Sequence, residues 1–243
     1  MINPKGHQTL KNFKGKTIVF EGDSICEASS DKFRGWAARV GEALGMNWYN
    51  YGVSGATITA ELYYADGSVR HWVSRSVEEI QAKHDKVDYI IFEGGTNDAD
   101  NLRIGSERTG VLDENDFSGD YDDSTFVGAI ESMFYKALMA YPEAKIGFII
   151  AQKMNCPTDA DGKYFKRRHY FKIAEQVCKK WGVPCLNLWD GCPLNPSLTS
   201  YYDPSLDTEG NAAAGKAYYD GQHLTPRGYD LVSSQIISFV ESL

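Results

Sequence analysis

A serine that attacks an acyl carbon needs a base to take its proton, an acid to orient that base, and donors for the oxyanion that forms. The stretch TIVFEGDSICEASS, residues 17–30, offers the serine. Ser24 follows Gly22-Asp23, just past the apolar run Ile18-Val19-Phe20. In open α/β sheets, ligands bind beyond the C-terminal ends of strands. Gly22 permits a tight turn or a close backbone approach at that point. The base should be one of five histidines: His7, His71, His84, His169 or His223. Only His223 lies in a loop that immediately precedes a predicted helix and has a carboxylate nearby, in Asp220-Gly221-Gln222-His223. Residues three apart in a turn can face one side, so Asp220 could hold one ring nitrogen while the other faces Ser24. His71 and His84 fall in a predicted helical segment, His169 follows Arg167-Arg168 on a solvated helix face, and His7 sits in the N-terminal stretch. The donors are Gly55, whose missing Cβ lets a backbone N–H approach an anion, and Asn97, whose amide donates without charge. Taken singly, each has a plainer reading: a capped turn at Asp23-Ser24, a turn at Gly55, an Asx turn at Asn97, a helix entry at His223.

The elements must bring these loops together. Apolar spacing predicts helices over 35–44, 69–83, 125–141, 164–181 and 225–243, the last with Pro226 near its start. Short apolar runs predict strands at 18–20, 46–51, 87–92, 145–151 and 183–188. Strands alternate with helices, so the fold class is α/β, with a parallel sheet buried on both faces. Right-handed crossovers put all the strand C-termini on one edge. Ser24, Gly55 and Asn97 each follow a predicted strand, so their loops converge there. Two long irregular regions, 99–124 and 195–219, are expected to frame the same edge.

Composition narrows the function classes. The 243 residues, 42% of them hydrophobic, suit one domain spanning 1–243, with residues 1–16 as an N-terminal extension. A net charge of −8 argues against nonspecific nucleic-acid binding, and no apolar run has the length of a membrane helix. The start, MINPKGHQTLKNFKGK, lacks the apolar middle of a signal peptide, although a trimmed leader would leave no mark. Cys26, Cys156, Cys178, Cys185 and Cys192 are odd in number and form no CxxC pair, which fits reduced thiols and a cytoplasmic location. The acidic stretches 113–123 and 203–209 lack the sixth-position glycine of a calcium loop, and neither a metal nor a cofactor is expected. Tyr63-Tyr64, Trp72, Tyr201-Tyr202 and Tyr218-Tyr219 could line a sugar-binding cleft or fill a core.

Four blocks now stand in order: Gly22-Asp23-Ser24, Ser54-Gly55, Gly95-Thr96-Asn97-Asp98 and Asp220-Gly221-Gln222-His223, the last followed by Leu224-Thr225-Pro226-Arg227-Gly228. Over about residues 17 to 240 the chain resembles the SGNH hydrolases, the GDSL esterase/lipase superfamily. The resemblance implies a three-layer α/β/α flavodoxin-like sandwich with about five parallel central strands. It also implies Ser24 as nucleophile, His223 as base and Asp220 as orienting acid, with the Ser24 N–H, the Gly55 N–H and the Asn97 amide as oxyanion donors. The nucleophile block continues Ile25-Cys26, a small departure from the usual pattern. The expected activity is hydrolysis of a small-molecule or carbohydrate ester, with short acyl groups such as acetyl favoured. That preference follows from a rim of Asp, Ser, Gly and Tyr, with Arg103 and Arg108, which lacks an apolar wall for a long tail. The rival readings are a lysophospholipase or thioesterase with an acyl groove, and a non-catalytic sugar- or flavin-binding module.

Overall fold

A computed structural model describes residues 12–28, 34–156 and 166–243. Its strands are β1 (Thr17–Glu21), β2 (Asn47–Asn50), β3 (Tyr89–Glu93), β4 (Lys145–Ile150) and β5 (Cys185–Asn187). They form one parallel sheet in the order β2-β1-β3-β4-β5. The helices are α1 (Ser24–Glu27), α2 (Trp36–Leu44), α3 (Ser76–Gln81), α4 (Thr96–Asn101), α5 (Phe126–Ala140), α6 (Lys166–Trp181), α7 (Leu188–Gly191), α8 (Thr208–Ala213) and α9 (Pro226–Ser242).

The strands are apolar in consecutive positions because both faces of the sheet are covered. Val19, Ile90, Phe92, Phe148 and Ile150 point into a core shared with α3, α5 and α6. Ile18, Phe20, Tyr89, Ile91 and Ile149 point into a second core, closed by α2 and α9. Helix α9 contributes Tyr229, Val232, Ile236 and Val240, spaced to share one face, and the Thr225 side chain caps it by accepting from Gly228 N–H. Burying each such side chain is worth roughly 2 kcal/mol. That fixes the strand ends, and with them the loops that follow.

The chain leaves β1 for β2 on one side and then crosses to β3 on the other. The crevice between β1 and β3 is therefore the topological switch point, where such sheets take their ligands. Ser24 opens α1 directly after β1, and Asn97 lies in the first turn of α4 directly after β3.

Three expectations change. The helix expected over 69–83 begins late: Val69 pairs with Tyr63 and Trp72 with Thr57 in isolated bridges, a short 3-10 turn spans Val73–Arg75, and α3 follows. Strand-like pairing to the 57–63 segment overrides helical spacing there. The irregular regions contain the short helices α4 and α8 and a 3-10 turn at Glu107–Thr109. The first region also frames the sheet edge carrying Ser24 only in part. Phe117 and Tyr121 pack on Trp181, the last residue of α6, with ring centroids 5.3 and 5.9 Å away. It is the first turn of α6, through Arg167, that reaches Asp100, Asn155 and the loop carrying His223, about 20 Å back along the helix. His7, most of the N-terminal extension and Tyr164 lie outside the described residues. No helix among the described residues is long and apolar enough to cross a membrane.

Candidate active site

The β1 end is shaped by what surrounds Gly22. A Cβ there would stand 2.7 Å from Glu93 Oε2 and 2.8 Å from Cys26 Cβ, so no other residue fits unless these neighbours shift. Asp23 follows as an extended N-cap whose Oδ1 accepts from Ile25 N–H at 2.9 Å. This turns Ser24 into the first residue of α1, 5% exposed, with its hydroxyl toward the sheet edge.

The Ser24 hydroxyl lies 3.0 Å from His223 Nε2. His223 Nδ1 lies 2.7 Å from Asp220 Oδ2, and Asp220 Oδ1 accepts the backbone N–H groups of His223 and Gln222 at 2.7 and 2.9 Å. Those contacts select the tautomer: Nδ1 donates to the carboxylate, and Nε2 is left to accept the serine proton. Burial works against ionising Asp220, but the ring and backbone hydrogen bonds outweigh it and lower its pKa to about 2. The same bond raises the His223 pKa against the opposing effects of burial and of Arg167. The imidazole is thereby a stronger base than a free one.

The loop carrying His223 is fixed from beneath. Gly221 has φ +81°, and Asn155 fills the space beside it while its N–H bonds the Gly221 carbonyl at 2.9 Å. Arg167, 4% exposed, bonds Asp100, the Asn155 carbonyl (2.7 Å) and the Gln222 side chain (2.9 Å). One guanidinium thus ties together the segments after β3 and β4 and the His223 loop. Sequence reading left Arg167 on a solvated face. Its placement one residue into α6 gave no signal of this role.

Gly55 sits at φ +76° with the Tyr64 hydroxyl where a Cβ would be, so only glycine is free of strain there. Arg70 stacks on Tyr64 and donates to the Gly55 carbonyl at 2.8 Å, which holds this loop. Among the described residues no acceptor takes the Ser24 or Gly55 N–H. Asn97 lies between the two loops. Its Nδ2 donates to the Ala56 carbonyl at 2.8 Å and stands 3.5 Å from Asp23 Oδ2. Asp98 turns inward and accepts from Ile58 and Thr59 N–H at 2.9 and 2.8 Å, which ties the same loop to α4.

The histidines set aside in the sequence, and the other residues considered, lie elsewhere. His71 stands 3.8 Å from the buried Glu21 carboxyl, His84 bonds Tyr51, and His169 packs on Tyr170. Arg108 is spent on the Ala60, Glu61 and Ser124 carbonyls. Tyr218 is fully buried and donates to the Lys153 carbonyl, so it fills the core; Tyr63 is exposed. Asp113, Asp116, Asp122 and Asp203 close turns by accepting from N–H groups two residues on, and among the described residues no three His, Cys, Asp or Glu side chains cluster as metal ligands would. All five thiols are free.

Comparison with known proteins bears on this geometry. No curated protein matches the sequence. Among solved structures, a protein of Lactobacillus plantarum is 20% identical, with a TM-score of 0.68 and coverage of 94% of this chain and 98% of the other. The carbohydrate acetylesterase Est24 of Sinorhizobium meliloti is 15% identical, with a TM-score of 0.57 and coverage of 93% and 99%. The M. smegmatis aryl esterase is 15% identical, with a TM-score of 0.59 and coverage of 94% and 100%. At these identities the likeness is one of fold. A family model, that of the GDSL-like lipase/acylhydrolases, matches residues 20–231, a span that takes in the serine loop, both donor loops and the histidine loop. The chain belongs to the GDSL-like lipase/acylhydrolase family.

Proposed function

We propose that the protein hydrolyses short-chain carboxylic esters, acetyl esters of sugars or other small polar alcohols above all, through an acyl-enzyme on Ser24. The observation that carries the reading is the continuous relay from the Ser24 hydroxyl through His223 to Asp220 at 3.0 and 2.7 Å. His223 Nε2 takes the serine proton as Oγ bonds to the acyl carbon. The ester C–O bond then breaks, and the same proton passes to the leaving alcohol. Water, deprotonated by His223, clears the acyl group by the reverse route. The Ser24 and Gly55 N–H groups hold the oxyanion. Asn97 joins them by turning the N–H that faces Asp23 at 3.5 Å toward the forming charge.

The acyl preference rests on the surroundings. Among the described residues, the neighbours of the histidine loop include Asn155, Gln222 and the half-buried Tyr202, which do not themselves form an apolar wall for a chain. Without one, the gain of about 0.8 kcal/mol per buried methylene is lost. A fold relative that is a carbohydrate acetylesterase points the same way. The test is kcat/KM for matched aryl esters from acetate to decanoate, with a fluorophosphonate probe to label Ser24. Highest efficiency on acetate and labelling at Ser24 are expected. A steady rise toward decanoate replaces this reading with a lysophospholipase or thioesterase, and no labelling replaces it with a binding module.

A further inference from the structure

The relay uses the solvent side of Ser24. Directly behind it stand carboxyls for which that chemistry has no task. Glu93, the last residue of β3, and Asp23 are both 0% exposed. Asp23 N–H donates to Glu93 Oε2 at 3.2 Å, and the two carboxyls are within hydrogen-bonding reach of each other. Among the described residues, no hydrogen bond reaches the buried Glu93 Oε1. Gly22 has no side chain because Glu93 occupies that space.

We propose that Asp23 and Glu93 hold one proton between them, and that Glu93 is a positioning residue which acts through that proton on the Ser24 loop and the Asn97 amide. The inference rests on the esterase reading of Ser24. Two carboxylates in contact in a dry site cannot both stay ionised, and an unpaired buried oxygen is costly unless a proton bridges it. Burial pushes both acids up, which favours keeping a proton on the pair. The groups facing the pair are Cys26 from α1, Asp98 from α4, Tyr229 from α9, and His223, with Glu21 and Glu27 beyond Cys26. All but His223 can only add negative charge, which holds the proton in place.

With the proton present, Asp23 keeps Oδ1 on the Ile25 N–H and offers Oδ2 only weakly to Asn97. When it leaves, two negative charges stand behind the donors that must meet the oxyanion, and Asp23 competes with that oxyanion for the Asn97 amide. Turnover therefore falls on the alkaline side as the pair ionises. Glu93→Gln keeps a neutral donor that cannot ionise, whereas Glu93→Ala removes the partner.

The experiment compares pH profiles of kcat and KM for aryl acetate hydrolysis by the wild type, Glu93→Gln and Glu93→Ala. Glu93→Gln should keep kcat at neutral pH within about threefold and lose the alkaline fall, and Glu93→Ala should lose about tenfold in kcat with KM little changed. In parallel, the infrared difference spectrum between wild type and Glu93→Gln at neutral pH should show loss of a protonated-carboxyl C=O band. An alkaline fall that persists in Glu93→Gln, or a spectrum without that band, overturns the proposal. If Glu93→Ala does not fold, Glu93→Gln and the band decide alone. If the wild type neither labels with fluorophosphonate nor hydrolyses esters, the esterase reading falls, and the band still decides whether the proton is shared.

Discussion

Ser24 stands between two sets of carboxyl groups treated in opposite ways. On the solvent side, Asp220 is part-exposed and receives two backbone N–H groups and an imidazole, which keeps it ionised with a pKa of about 2. On the sheet side, Glu21, Asp23, Glu93 and Asp98 are all fully buried, and burial raises the pKa of each. The residue type does not decide which behaviour follows. The supply of donors against the loss of water decides it. Acids on the relay side orient a base. Acids on the buried side hold their protons more readily, and Asp23 and Asp98 accept backbone N–H groups that shape the loops.

If the relay side alone does the proton chemistry, the largest loss comes from breaking it. Ser24→Ala and His223→Ala should each lower kcat by at least about a thousandfold, measured on an aryl acetate, since the members act as a unit. Near-normal turnover in Ser24→Ala removes the assignment. Asn97→Ala sits between the two sides. It should cost about a hundredfold or more in kcat with little change in KM, because its amide meets charge only in the transition state. A change confined to KM would make Asn97 a ground-state contact.

Asp220→Asn sharpens the comparison by taking the charge from the relay side. The Asp220 carboxylate raises the His223 pKa, so wild-type kcat/KM should rise with pH through an inflection above the ordinary imidazole value. The variant should show a lower maximum and an inflection moved toward acid pH. An unmoved inflection would mean another group titrates.

The smallest effect is one of stability, on the buried side. Burial lifts the Glu21 pKa from 4.5 to about 7, against the opposing pull of His71. The folded state then binds more protons than the unfolded chain between those values, so stability falls as pH rises through that window and levels off above it. The full difference is about 3 kcal/mol. Glu21→Gln should therefore raise the urea midpoint relative to wild type above pH 7, and the gain should vanish near pH 4.5. Equal gain at both values would show that Glu21 does not change its proton on folding.

The sequence made one of these sides legible and left the other hidden. Ser24, Gly55, Asn97 and His223 stand in local blocks with a chemical logic of their own; the first three follow predicted strands, and His223 precedes a predicted helix. Glu21 and Glu93 end such strands, where a charge reads as the point at which the chain meets water. Partners distant in sequence bury them: His71 and Ser76 beside Glu21, and the Asp23 loop with Cys26 of α1 beside Glu93. The start of the 69–83 segment was misread for a related reason. Val73, Val77 and Ile80 do have helical spacing, but Val69 and Trp72 answer to partners at Tyr63 and Thr57, which no local window contains. The placement of Phe117 and Tyr121 was unreadable for the same cause, since Trp181 lies 60 or more residues away in sequence.

Arg167 has a consequence for how the molecule opens. Its guanidinium joins the segment after β3, the segment after β4 and the turn that carries the histidine, and no two of them can part without stranding a buried cation. These pieces should breathe as one unit. In hydrogen–deuterium exchange the amides of Asn155 and His223, both bonded in this knot, should share one opening free energy with the first turn of α6, although about seventy residues separate the ends of the set.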